Sequence, residues 1–170
     1  MGYTLVLGGA RSGKSDLARR LGVESGRAVS FIATATAGDD EMAQRIARHR
    51  ASRPAGWSTV EAPLDLRAAI QAAGADDFVV VDCLTLWVSN LLGDGHRPDE
   101  VISLAEEAAH AMAMRHGVVV SNEVGLGIVP ANALARTYRD VLGAVNVLFA
   151  ACSQRSLLMV AGRALELEPT

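Results

Sequence analysis

Apolar residues are distributed in two patterns along the 170-residue chain. Short, continuously apolar runs alternate with longer segments in which apolar positions return every three or four residues. The short runs are "YTLVLGG" (3–9), "AVSFIAT" (28–34), "DFVVVDCL" (77–84), "GVVVSNEVG" (117–125) and "SLLMVAG" (156–162). Each has strand length and is apolar on both alternating sets of positions, as strands buried on both faces are. "WSTVEAP" (57–63) reads as a shorter strand stopped by Pro63. Helices are expected over 14–22, 39–52, 64–74, 85–93, 98–116 and 132–152, with loops at 93–98 and 126–131. Strands of this kind alternating with helices predict an α/β fold in one domain over 1–170: a mostly parallel sheet with helices on both faces. The run 156–162 is expected to be the last core strand.

The first strand leads into "GGARSGKS", which comprises Gly8, Gly9, Ala10, Arg11, Ser12, Gly13, Lys14 and Ser15. The spacing is that of a P-loop, and its place between strand and helix is the one this motif requires. Glycines allow successive backbone N–H groups to turn inward around phosphate oxygens, and the helix N-terminus adds its dipole. Lys14 is expected at the β- and γ-phosphates and the Ser15 hydroxyl on Mg²⁺. Lys14 is also the only lysine, against fifteen arginines, so the single compact ammonium stands where a point charge suits phosphate. Asp82 ends an apolar strand, the position of a carboxylate that completes the Mg²⁺ shell.

Composition narrows the choices. The net charge is −3, which disfavours a dedicated nucleic-acid binder. No apolar run approaches the roughly 18 residues of a membrane span. The first strand begins at Tyr3 with no basic n-region or cleavage site before it, so a cytoplasmic location is expected. Cys83 and Cys152 fit no metal or redox spacing and read as free thiols. The positive charge is instead local. "RIARHRASRP" sets His49 among Arg45, Arg48, Arg50 and Arg53. On a helix, Met42, Ile46, His49 and Arg53 share one stripe. One reading is a histidine packed on the inner face among solvated arginines. The other is chemical. Arginines neutralise polyphosphate and grip its oxygens, positive neighbours keep an imidazole neutral, and a neutral imidazole is a nucleophile. Asn122 and Glu123 follow a strand at its carboxyl end, where they could touch ligand or cap the turn. His96, His110 and His116 have no such setting and read as surface or structural. Trp57 lies close enough to Arg53 to border the site.

Four motifs in order, "GGARSGKS", "FIATATAGDDEMAQRIARHRASRP", "VDCLTLWVSNLL" and "NEVGLGIVPANALARTYRDVLGAVN", resemble the bifunctional adenosylcobinamide kinase/adenosylcobinamide-phosphate guanylyltransferase family over nearly the whole chain. The resemblance implies a RecA-like P-loop NTPase that forms a homotrimer with its substrate crevice between subunits. It implies phosphorylation of adenosylcobinamide by ATP or GTP. Transfer of GMP from GTP to adenosylcobinamide phosphate would follow, through a guanylylated histidine that maps onto His49. Some relatives carry two adjacent histidines here; in this chain Arg48 precedes His49. The family's nucleotide contacts map onto Gly8–Ser15, onto Thr34, Ala35 and Thr36, onto Arg50, Ala51, Ser52 and Arg53, and onto Glu61 and Asp82. Ala161 and Arg163 stand where relatives show Ser-Gly and an apolar-Pro turn, a departure expected to bear on the tail and trimer contacts. Two other functions fit a P-loop chain. A simple small-molecule kinase needs no covalent step, and a RecA-type nucleotide-binding regulator calls for a basic surface or DNA-binding arm.

Overall fold

The computed structural model describes residues 1–51 and 53–169, with Arg45 described by its backbone alone. The strands are β1 (Gly2–Gly8), β2 (Val29–Ala33), β3 (Ser58–Glu61), β4 (Phe78–Asp82), β5 (His116–Val120), β6 (Arg155–Val160) and β7 (Arg163–Leu167). The helices are α1 (Lys14–Glu24), α2 (Asp40–Ala51), α3 (Leu66–Ala72), α4 (Leu84–Gly93), α5 (Pro98–Ala113) and α6 (Ala133–Cys152). All seven strands form one sheet in the order β3-β2-β4-β5-β1-β6-β7. Every pairing is parallel except that of β6 with β7.

The apolar runs are buried on both faces because side chains alternate across the sheet. Leu5, Ile32, Val79, Val81 and Val119 face α3 to α6 and pack with Leu66, Trp87, Met112 and Phe149. Val6, Phe31, Val80, Val118 and Val120 face the other way and pack with Leu17 and Ala18 of α1. Helices therefore cover both faces, but unequally: four lie on one side and α1 on the other. Burying a side chain such as Phe149, 0% exposed, stabilises the fold by roughly 2 kcal/mol.

Cross-strand register decides what lies together at the carboxyl edge. Ala33 pairs with both Glu61 and Asp82, and Asp82 pairs with Val120. Glu61 and Asp82 thus end the two strands that flank β2, at the same edge as the loop that follows β1. The helix α2 stands over this edge and is exposed along most of its length, with Met42 and Ile46 half-buried. It forms because Asp39 Oδ1 accepts from Met42 N at 2.7 Å as an N-cap. Acidic residues fill its first turn and Arg48, His49 and Arg50 its last, matching the helix dipole.

Four expectations need correction. The helix α2 ends at Ala51, so Arg53 lies beyond it rather than on its stripe. The helix expected to reach His116 ends at Ala113. His116 opens β5, which stops at Val120 rather than running on through Glu123. The run 156–162 is not the last strand. A two-residue turn at Ala161 and Gly162, both at positive φ (50° and 76°), returns the chain as β7. Positive φ at both turn positions matches strand twist and makes such hairpins tight. β7 is exposed throughout.

Candidate functional site

The P-loop occupies the carboxyl end of β1. Gly13, at φ 97°, is the N-cap of α1. Lys14 is buried, 7% exposed, and its Nζ donates to the Gly9 carbonyl at 2.6 Å. Ser15 Oγ donates to Asp82 Oδ2 at 3.1 Å, which joins the two predicted Mg²⁺ ligands. Both are hard oxygen donors opening on the P-loop cavity, the donor type that Mg²⁺ takes together with substrate phosphates. Among the described residues no cluster of three His, Cys, Asp or Glu side chains could hold a metal by itself. Burial raises the Asp82 carboxyl above the ordinary range; the Ser15 hydrogen bond and the charges of His49, Arg53 and Lys14 oppose this.

Two cavities meet at this point. One is lined by the P-loop from Ala10 to Asp16 and by Asp82, Thr85 and Asn122. The other is lined by Phe31, Ala35, Met42, Ile46, Arg50, Arg53 and Glu61. Ser15, His49, Asp82, Cys83 and Leu86 belong to both. His49 is exposed, so it is not a histidine packed into a core. It stands on the wall shared by the phosphate loop and the arginine-lined cavity.

The arginines are held in different ways. Arg50 Nη2 meets Glu61 Oε1 at 3.2 Å on the surface. Arg53 Nη1 donates to Thr59 Oγ1 at 3.2 Å, and its guanidinium carbon lies 3.8 Å from the Phe31 ring centroid. Burial lowers the Arg53 pKa, with the Asp82 charge acting against that shift. Phe31 in turn stacks on Trp57, with centroids 6.2 Å apart and planes at 29°. Trp57 lies against Gly22 of α1, where an added Cβ would come within 2.7 Å of the indole. Arg53 therefore has a fixed aromatic floor. Sequence reasoning placed Trp57 at the border of the site but missed Phe31, whose signal was its strand position two residues before Ala33, on the α1 face.

Other predicted contacts are distributed around this centre. Thr34 is fully buried; its hydroxyl accepts from Cys83 N at 2.9 Å and donates to Cys83 O at 2.7 Å. It lies beneath the site and holds the end of β4. Thr36 is exposed and donates to Asn90 Oδ1 at 3.4 Å. Ala51 is exposed at the end of α2, and Ser52 and the Arg45 side chain lie outside the described residues. Asn122 lines the P-loop cavity, with its N–H on Thr85 Oγ1 and its carbonyl accepting from Asn146 Nδ2. The Glu123 carboxylate accepts from Gly125 N and caps its own turn. Burial, then the neighbouring Asp82, pushes the Cys83 thiol up to about 11, so this cavity-lining sulfur is a poor rival nucleophile. His110 is exposed on α5, His96 is half-buried after α4, and His116 lies at the opposite edge of the sheet, where β5 begins beside Gly2.

Residues 4–167 match the family model described as cobinamide kinase / cobinamide phosphate guanyltransferase. The chain is 50% identical over 161 residues to the bifunctional adenosylcobalamin biosynthesis protein CobP of Pseudomonas aeruginosa, covering 93% of this chain and 92% of that one. It is 42% identical over 173 residues to the bifunctional adenosylcobalamin biosynthesis protein CobU of Salmonella typhimurium, covering 93% and 95%. Among solved structures, the RadB recombinase superposes with a TM-score of 0.53 at 17% identity, over 92% of this chain and 73% of that one. At that identity the likeness is one of fold alone, and the fold is that of a RecA-like P-loop NTPase.

Proposed function

Since the chain belongs to the cobinamide kinase / cobinamide phosphate guanyltransferase family, we propose that it catalyses two successive transfers onto adenosylcobinamide in cobalamin biosynthesis. In the first, the hydroxyl of the aminopropanol arm attacks the γ-phosphorus of ATP or GTP. An O–P bond forms, the bond to the β-phosphate oxygen breaks, and the nucleoside diphosphate leaves. In the second, a ring nitrogen of His49 attacks the α-phosphorus of GTP. A P–N bond forms and pyrophosphate departs. A phosphate oxygen of adenosylcobinamide phosphate then attacks the same phosphorus, the P–N bond breaks, and adenosylcobinamide-GDP is released.

The observation that carries this proposal is the place of His49 on the wall common to the P-loop cavity and the arginine cavity. A kinase alone needs no nucleophile there. The P-loop residues Gly8 to Ser15 would hold the triphosphate, with Lys14 at the β- and γ-phosphates. Arg50 and Arg53 would grip phosphate oxygens beside His49, and Arg53 is pre-oriented by Phe31 and Thr59, which reduces the ordering cost on binding. Ser15 and Asp82 would hold Mg²⁺, which when bound spreads the charge of the phosphate oxygens. Thr36, Ala51, Ser52 and Glu61 would border the nucleotide, Ala35 would line its cavity, and Thr34 would support it from below.

Incubation with α-labelled or γ-labelled GTP, with and without adenosylcobinamide, tests the proposal. Label from the α-position should become protein-bound without adenosylcobinamide, and γ-label should pass to adenosylcobinamide without lodging on the protein. Transfer of γ-label alone would leave a simple small-molecule kinase.

A homotrimer with the corrinoid crevice between subunits is also part of the proposal, as is a cytoplasmic location, where both nucleotides are available. No helix among the described residues is long and apolar enough to cross a membrane. The loop after β5 is consistent with assembly: Leu126 and Ile128 stand close together in it, 84% and 97% exposed, and exposed apolar side chains grouped in one place can mark a contact surface. Light scattering at micromolar concentration should report about three chain masses; a single chain mass would remove the trimer.

A further inference from the structure

We propose that the β6–β7 turn holds the phosphate-binding loop in its receiving form, and that Gly162 is a positioning residue for nucleotide binding. This rests on the P-loop nucleotide site above but on neither the corrinoid substrate nor the covalent histidine. In the sheet, Gly8 pairs with Met159 of β6, so the turn that ends β6 emerges directly behind the loop that begins after Gly8. Gly162 N donates to the Ser12 carbonyl at 3.0 Å. The Ser12 carbonyl and the Gly13 N–H belong to one planar trans peptide, in which the two groups point in opposite directions. Fixing the carbonyl toward the hairpin therefore aims the Gly13 N–H away from it, toward the cavity side of the loop. The contact is close as well as directional: an added Cβ on Gly13 would lie 3.4 Å from Gly162 Cα and 3.6 Å from Met159 Cε. A second bond of the same kind, from Glu123 N to the Gly8 carbonyl at 3.2 Å, steadies the other end of the loop.

The requirement at residue 162 is conformational. A Cβ there would meet nothing within 4 Å, but the residue sits at φ 76°. Asparagine tolerates that region and keeps the N–H, whereas a β-branched residue does not adopt it without strain. The chain's departure at Ala161 and Arg163 thus brackets a residue that touches the nucleotide-binding loop, so the tail bears on the chemistry as well as on packing.

Affinity for a tritium-labelled α,β-methylene analogue of GTP, whose α–β bridge cannot be cleaved by a nucleophile, measured by equilibrium dialysis on the full chain with Mg²⁺, tests this. Gly162→Asn should bind within about twofold of the unaltered protein. Gly162→Val should bind about tenfold more weakly, the effect of one lost directional bond, with KM for GTP rising and kcat in the kinase step largely kept. Gly162→Ala should fall between them and serves if the valine variant does not fold. Glu166→Ala is the control for hairpin stability. It breaks the paired bonds from Arg155 at 2.8 and 2.7 Å without touching the turn, and it should leave affinity for the analogue unchanged. Undiminished binding by Gly162→Val or, where that variant does not fold, by Gly162→Ala would overturn the proposal. So would equal losses in the valine and asparagine variants, or an equal loss in Glu166→Ala. If the unaltered protein does not bind the analogue, the nucleotide site itself is misassigned and the positioning role falls with it. If it binds the analogue but transfers nothing from GTP to adenosylcobinamide, the enzymatic proposal fails while the role of Gly162 stands.

Discussion

His49→Ala protein is expected to take up no label from α-labelled GTP and to form no adenosylcobinamide-GDP, while still phosphorylating adenosylcobinamide. The separation follows from where His49 stands. Transfer of the γ-phosphoryl draws on Lys14, Ser15 and Asp82, which are carried by α1 and β4, whereas His49 is carried by α2. Guanylyl transfer requires a nucleophile at the α-phosphorus, and no other cavity-lining group is as well suited: the Cys83 thiol is raised to about 11, and the Ser15 hydroxyl is committed to Asp82. The imidazole is exposed, so its removal leaves no packing defect and the melting temperature should hardly move. The adduct on the unaltered protein would be a phosphoramidate, stable to base and lost in acid. Retention of α-label by His49→Ala would place the nucleophile elsewhere. Loss of both transfers by a folded variant would make His49 a nucleotide-binding residue instead.

Lys14→Ala should disable both transfers, each by on the order of a hundredfold or more, the usual effect of removing a charged contact from reacting phosphates. On the proposed mechanism both reactions use one triphosphate site, and Lys14, the only lysine of the chain, supplies its ammonium. The side chain is already confined, 7% exposed with Nζ on the Gly9 carbonyl, so little further ordering is needed when phosphate arrives. Lys14→Arg should not restore activity, because the larger planar guanidinium does not fit a place shaped for a compact ammonium. The two assays on labelled GTP measure both variants. Full activity of folded Lys14→Ala in either transfer would show that the reactions do not share this site.

The parallel sheet was legible because its strands are apolar on both alternating faces, and only a sheet covered on both sides calls for that. β7 escaped notice for the opposite reason. "RALEL" is exposed throughout, so burial imposed no pattern on it. The P-loop, Asp82 and His49 were legible from residue type and local spacing. Their meeting place was not, since it depends on register: Glu61, Ala33 and Asp82 align across three strands separated by whole helices. Thr34 is a similar case. Its motif suggests a ligand contact, but its hydroxyl is used by Cys83, 49 residues away, which local sequence does not reveal. The position of Arg53 owes more to Phe31 and Thr59 than to the helical stripe on which spacing placed it.

The stack of Arg53, Phe31 and Trp57 gives the molecule an optical property. The chain has two tryptophans, and they differ in surroundings. Trp87 is 1% exposed, with its indole N–H on the Leu64 carbonyl at 2.7 Å, packed in the core on the face of the sheet opposite Trp57. Trp57 is half-buried and is one ring away from the guanidinium at the arginine cavity. Emission from Trp57 is therefore expected to vary with what Arg53 holds, over the emission of the solvent-sealed Trp87. The protein carries its own fluorophore for following the filling of that cavity in real time, with no label attached.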